Sequence, residues 1–174
     1  ELFEVIGNKL FVSTSWTSLN YLSVNPVSWN DVSENMPELW SASASFVIDN
    51  KMYVVYGKHY PSGALKNEVW MYDPITGLWV RKNDFPGIAR AAAVGFSIRG
   101  KGYMGLGWDN SQRLDDMWEY GSITDTWTRI AQDYPGGRTS SAFVFVIDEA
   151  AYIGTGVKGT LTRVNSVYRF NPIN

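Results

Sequence analysis

Cysteine is absent from the 174 residues, so the chain can form neither a disulfide nor a thiolate metal site. Histidine occurs once, at His59, which excludes a three-histidine zinc site within one chain. Neither sign of charge dominates: 15 Lys and Arg stand against 17 Asp and Glu, a net of −2. That balance offers no basic stripe for nucleic acid and no polybasic membrane patch. No apolar run approaches the ~20 residues of a membrane-spanning helix. No signal-peptide pattern is visible, which a mature or trimmed chain would also show. Apolar residues at a 3.6-residue period, sustained enough for a long helix, are missing too. Aromatics and glycine are plentiful: 8 Trp, 10 Tyr, 8 Phe and 16 Gly. Such a composition, in a chain long enough for one good core, suits an all-β protein better than a helical bundle.

The order in those residues is a repeat. The segments "WSASASFVIDNKMYVVYG" (40–57), "RAAAVGFSIRGKGYMGLG" (90–107) and "RTSSAFVFVIDEAAYIGTG" (138–156) share one plan. Each has a run of small residues, an apolar alternation, a two-residue turn and a second alternation ending in glycine. The turns are Asp49-Asn50, Arg99-Gly100 and Asp148-Glu149. Tyr53, Tyr103 and Tyr152 share one position, at intervals of 50 and 49 residues. "ELFEVIGNKLFVSTS" at the start is a divergent copy with Gly7-Asn8 at its turn. A second pattern follows each copy: "VWMYDPITGLWVRK" (69–82) matches "MWEYGSITDTWTRI" (117–130), and both resemble "YLSVNPVSWNDV" (21–32). The last copy, "VYRFNPIN", stops after its first half. Period-two alternation predicts strands, and the two-residue junctions predict tight hairpins. Each unit therefore reads as four short antiparallel strands, a, b, c and d, in a repeat of about 50 residues.

These residues resemble the kelch repeats of β-propellers over essentially the whole chain. The resemblance rests on the Arg before strand a (Arg90, Arg138) and the Gly ending strand b (Gly57, Gly107, Gly156). It rests also on the aromatic before an Asx-Pro turn (Tyr72-Asp73-Pro74, Phe170-Asn171-Pro172) and the Trp of strand d (Trp29, Trp79, Trp127). The family's double glycine departs here to Tyr56-Gly57, Leu106-Gly107 and Thr155-Gly156. The resemblance implies an all-β, kelch-type propeller with units near 1–39, 40–89, 90–137 and 138–174. Strand a would line a central channel, where Ala91, Ala92, Ala93, Ser140 and Ser141 suit the crowding. The strand-b glycines would leave the strand at a φ that other residues resist. Three units have four strands and the last lacks its outer strand. This predicts part of a six- or seven-bladed ring, completed by further blades or a second copy.

In such a blade the b–c and d–a loops share one face. Long, varied loops on a rigid scaffold are where function concentrates. The candidate ligand-binding residues are therefore Trp16, His59, Tyr60 and Trp108 as stacking rings, Asp109 and Arg113 as polar contacts, and Arg90 and Arg138 as an anion-attracting ring. Each has a structural alternative. The aromatics would cap the inter-blade core, the loop charges would be solvated, and arginines recurring by blade would brace loop carbonyls. Asp115, matched by Asn67 and Asn165, reads as a loop pin. No catalytic set, metal site or cofactor is legible: no serine is identifiably paired with His59, and the loop acids lack calcium-loop spacing.

The expected function is a non-catalytic binding or scaffold module of a bacterial cell envelope, periplasmic or at the cell surface, taking a carbohydrate or protein ligand. A sugar mutarotase of the sialic-acid type, which some kelch propellers resemble, is the enzymatic alternative. The radical copper oxidases of this fold need a Tyr–Cys cross-link that this chain cannot make. An intracellular adaptor is the third reading, and the reduced double glycine suits it poorly.

Overall fold

The computed structural model describes residues 2–15, 18–32, 36–37 and 40–172. Its first sheet runs β1 (Phe3–Ile6), β2 (Lys9–Ser15), β3 (Ser18–Val24), β4 (Val27–Asp31). A short β5 (Trp40–Ser41) leads into β6 (Ala44–Ile48) and β7 (Lys51–Val55). The next short strand, β8 (Lys58–His59), pairs back with β5, and β9 (Val69–Asp73) and β10 (Leu78–Lys82) complete the second sheet. The third sheet is β11 (Val94–Ile98), β12 (Lys101–Gly105), β13 (Met117–Gly121), β14 (Thr126–Arg129). The fourth begins with β15 (Phe143–Ile147) and β16 (Ala150–Gly154). A loop hairpin of β17 (Val157–Lys158) and β18 (Thr162–Arg163) precedes its third strand, β19 (Val167–Phe170). Among the described residues β19 has no partner on its outer side. The sheets are four blades of a propeller, three complete and the last three-stranded.

The two-residue a–b turns take positive φ at both positions: 49° and 57° at Asp49-Asn50, 50° and 71° at Arg99-Gly100, 48° and 58° at Asp148-Glu149. That handedness matches the right-handed twist of the strands, which is why such short loops close hairpins. It also fixes register, so Phe46 pairs with Tyr53, Phe96 with Tyr103 and Phe145 with Tyr152.

Alternation then sends one side-chain set toward the preceding blade and the other toward the following one. Three inter-blade cores result. Leu2, Ile6, Phe11 and Leu19 of blade 1 meet Trp40, Met52, Val54 and Tyr72 of blade 2. Phe46, Tyr53, Val55 and Val69 of blade 2 meet Phe85, Met104 and Tyr120. Val94, Phe96 and Tyr103 of blade 3 meet Tyr134, Ala151 and Ile153. In the second and third cores an aromatic stack of blade n is closed by an aromatic of blade n+1. The Phe46–Tyr53 pair, 5.5 Å apart and near-parallel, meets Tyr120 at 5.8 and 5.4 Å. The Phe96–Tyr103 pair meets Phe170 at 5.6 and 5.3 Å.

Around the inner strands the blades are joined by backbone. Ala92 N–H donates to the Ala42 carbonyl and Ser141 N–H to the Ala92 carbonyl, each at 2.9 Å. These three residues have φ of 51°, 54° and 55°. Small side chains occupy the positions because the chain turns left-handed there, against a neighbouring backbone. Gly95 belongs to the same seam: a Cβ on it would stand 2.2 Å from the Ser45 carbonyl oxygen.

The strand-b glycines have two causes rather than one. Gly107 and Gly156 have φ of 102° and 98°, as their sequence position suggests. Gly57 has no positive φ; a Cβ there would stand 2.3 Å from the Ala42 carbonyl oxygen, so close approach demands it. Leu106 and Thr155, just before the strand-b glycines of blades 3 and 4, sit at φ 60° and 56°, a backbone region that glycine enters at least cost.

The two end faces lack a neighbour among the described residues. On blade 1, Phe3, Val5 and Trp29 are 60% exposed or more. On blade 4, the near-parallel Phe145–Tyr152 stack repeats the buried pairs of blades 2 and 3, yet Phe145 is 46% exposed.

Candidate ligand-binding face

The b–c and d–a segments meet at one end of the blades and form a second layer of short pairings. Trp40 pairs with His59, Ala91 with Trp108, Leu114 with Thr139, and Ser140 with Val157. Backbone bonds reinforce it: Trp108 N–H donates to Ala91 at 2.8 Å, Gly107 N–H to Thr139 at 2.9 Å, and Thr139 N–H to Leu114 at 3.0 Å. These loops are therefore braced, although turn-rich sequence alone does not announce it. Of the loop pins read from sequence, Asn67 bonds through its side chain, whereas the Asp115 bond comes from its backbone and does not depend on residue type. Asn67 Nδ2 donates to the Gly87 carbonyl at 3.0 Å, and the Asp115 carbonyl accepts from Tyr134 N–H at 2.7 Å.

The structure separates the two arginines that sequence groups together. Arg90 is 1% exposed. Its Nε donates to Ile88 O at 2.8 Å and its Nη1 to Leu106 O at 3.1 Å; both Nη atoms grip the Asp116 carboxylate, Nη2 at 2.9 Å. Its guanidinium carbon lies 5.0 Å from the Phe85 ring centre. Arg138 is exposed and donates to Gln112 Oε1. The difference comes from the partner position. The backbone carbonyls of Asp116 and Ser166 accept equivalent bonds, from Leu106 N–H and Thr155 N–H, so Ser166 stands in blade 4 where blade 3 has Asp116. Without that carboxylate nothing offsets the desolvation of a buried guanidinium. Burial alone would raise the Asp116 carboxyl, but hydrogen bonds from Arg90 and Trp118 and the Arg90 charge hold it below the ordinary value.

Arg113 braces two blades: Nε donates to Ser140 Oγ at 3.0 Å and Nη1 to the Gly159 carbonyl. Asp109 caps its own loop, accepting from the N–H groups of Ser111 and Gln112 and from the Ser111 hydroxyl at 2.7–2.8 Å. Those bonds, led by Gln112 N–H, lower its pKa to about 2. Among the described residues no three His, Asp or Glu side chains are placed to hold a metal ion. His59 Nδ1 lies 2.7 Å from Ser62 Oγ, within its own loop. Tyr60 is 43% exposed beside it, and Trp108 is 37% exposed on the blade 3 loop. Trp16 lies outside the described residues. The face thus gathers Trp108, Arg113, Asp109 and Arg138 on blades 3 and 4, with His59 and Tyr60 on the blade 2 loop.

A second feature escapes the sequence reading. A groove of about 510 Å³ follows the inner strands, lined by Phe3, Glu4, Ser45, Ser97 and Phe143 among others. Glu4 pairs across the hairpin with Phe11, so it occupies the position of Phe46, Phe96 and Phe145 in the other blades. Aligning those four positions would have exposed it as the one acid in an aromatic series. Burial pushes its carboxyl up to about 7, against the lowering effect of a 2.7 Å hydrogen bond from Ser45 Oγ. The buried Ser97 Oγ has no hydrogen-bond partner among the described residues.

Comparisons with known proteins agree with this architecture. The family model for the kelch motif matches residues 40–86. No curated protein sequence matches the chain. The solved structure of YjhT superposes on 97% of the chain with a TM-score of 0.82 at 16% sequence identity. The chain spans 61% of the length of that structure.

Proposed function

We propose that this chain, a kelch-type β-propeller, is a non-catalytic binding module of the bacterial cell envelope that takes a carbohydrate on its braced loop face. The coarse role follows from a rigid row of packed blades that carries varied loops on one end. The finer reading is carried by Trp108: a half-open indole on a loop fixed by pairings to Ala91 and Arg113. A flat amphipathic ring, held in place before binding, stacks on a sugar at little entropic cost. Arg138, with one side-chain partner at Gln112, adds a donor suited to an acidic or hydroxyl-rich ligand.

A glycan array probed with the unmodified chain and with Trp108→Ala tests this. Saturable glycan binding that Trp108→Ala removes, with the melting temperature retained, supports it. No glycan binding, with retention of a protein ligand, moves the module to the protein-binding class. The apolar end faces, where Trp29 and Phe145 are exposed, fit further blades or a second copy.

Acid–base chemistry on a sugar, as in a sialic-acid mutarotase, is the second reading. It is favoured by Glu4, whose carboxyl near 7 in the groove has the balance a proton donor and acceptor needs. Following anomer interconversion by NMR for the unmodified chain and Glu4→Gln decides between the readings.

A further inference from the structure

We propose that the carbohydrate taken by the loop face is an acidic polysaccharide, a polyuronate in chemistry, whose carboxylates are held by Arg113, Arg138 and Arg163 beside Trp108. The inference rests on the carbohydrate reading above and gives that ligand its class.

The pairings of the loop layer put these side chains on one face. Residues directly opposite in an antiparallel pair share a face, and neighbours along a strand point to opposite faces. Leu114 lies opposite Thr139, and both are buried. Arg113 precedes Leu114, while Arg138 and Ser140 flank Thr139, so these three turn to the solvent face. Ser140 lies opposite Val157 and Val157 opposite Arg163, which adds Arg163 to that face. Trp108 lies opposite Arg113 and joins it. Ser140 is covered there by Arg113, whose Nε donates to its hydroxyl at 3.0 Å.

The three charges are not neutralised in place. Arg113 donates to the Ser140 hydroxyl and the Gly159 carbonyl, and Arg138 to the side-chain carbonyl of Gln112; all three acceptors are neutral. Arg163 is exposed at the end of β18. Elsewhere on the chain Arg81 pairs with Glu68 and Asp84, Arg90 with Asp116, Arg99 with Glu149 and Arg129 with Asp133. Among the described residues no carboxylate forms such a pair with Arg113, Arg138 or Arg163. Asp109, on the same loop as Arg113, takes its bonds from Ser111 and Gln112 instead.

One carboxylate engages one guanidinium in the bidentate form, so three separate guanidiniums match carboxylates that recur along a chain. Trp108 supplies the ring on which a sugar of that chain stacks. Asp109 and Asp115, on the blade 3 loop, can accept bonds from sugar hydroxyls and would repel the phosphates of a nucleic acid, and the net charge of −2 opposes that partner too.

The test titrates the full 174-residue chain by calorimetry with a short oligogalacturonate and with its fully methyl-esterified form. The acid should bind at least about tenfold tighter than the ester, because charge-assisted hydrogen bonds replace neutral ones. Added salt should weaken the acid and not the ester. Arg138→Gln and Arg163→Gln, both at exposed positions, should each weaken binding of the acid by roughly threefold to tenfold with the melting temperature retained. Arg99→Gln, on an a–b turn at the opposite end of the blades, should leave it unchanged. Equal affinity for acid and ester, or an affinity that neither arginine variant alters, would overturn the proposal; loss of that binding in Trp108→Ala would show that the carbohydrate reading survives it. No binding of the acid, with a neutral glycan still bound on the array, would overturn the proposal in the same way. Tighter binding of dextran sulfate or oligothymidylate than of oligogalacturonate would overturn it in favour of sulfate or phosphate.

Discussion

Replacing Arg90 with alanine should destabilise the protein by about 3–5 kcal/mol, the cost of removing one partner from a buried ion pair. The structure sets that scale. The Arg90 side chain is 0% exposed and the Asp116 side chain 17%, so solvent screens the pair little. Removal strips the Asp116 carboxylate of its bidentate partner and the Ile88 and Leu106 carbonyls of their donor. For a chain of this length each kcal/mol shifts the melting temperature by about 2–4 °C, so a loss of roughly 6–20 °C is expected. Asp116→Asn should cost a similar amount, because it leaves the guanidinium buried without a counter-charge. The double variant Arg90→Met/Asp116→Leu should recover part of the loss, not all, since the two carbonyls stay unpaired. The pair also has a pH signature. Asp116 is held below its ordinary pKa when folded, so its contribution is complete above the unfolded value and is lost as pH falls through the folded one. Arg138→Ala, at an exposed position, should stay within about 0.5 kcal/mol of the parent. Urea unfolding of the four variants at pH 7, repeated for the parent toward pH 3, measures all of this. An Arg90→Ala variant within 0.5 kcal/mol of the parent, or an Arg138→Ala variant as costly as Arg90→Ala, would refute the reasoning.

Glu4→Gln should stabilise the protein at pH 8 and not at pH 4. Its folded pKa of about 7 exceeds the ordinary 4.5, so the parent loses stability as pH rises between those values and the variant does not; a denaturation midpoint with the same pH slope in both would contradict this. Gly156→Ala should cost about 1–3 kcal/mol from backbone conformation alone. The close approach adds to that, because the new Cβ would stand 2.7 Å from the Ser140 carbonyl oxygen at φ 98°; thermal unfolding reads it directly. Trp108→Ala should leave the melting temperature within a few degrees and remove glycan binding.

Much of the fold is legible in sequence because its signals are local. Alternation, the Asp-Asn and Arg-Gly junctions and the recurring Trp and Tyr mark the strands, hairpins and blades. The small residues at Ala42, Ala92 and Ser141 mark the inner seam, whose left-handed backbone a neighbouring blade imposes. The short pairings that brace the loop face are less visible, since Trp108 and Ala91, or Ser140 and Val157, pair across loops without any periodic pattern.

The sequence by itself determined the number of blades present, their strand order and the faces each strand presents, because a two-residue turn and a period of two leave one register open. It could not distinguish Arg90 from Arg138, because burial of a guanidinium depends on a carboxylate some 26 residues away. Nor could it weigh Glu4, whose pKa depends on what the next blade lays over it, or see that Arg113, Arg138 and Arg163 share one face. Those properties belong to contacts between blades. Tertiary structure decided them, because desolvation and packing depend on distance in space rather than along the chain.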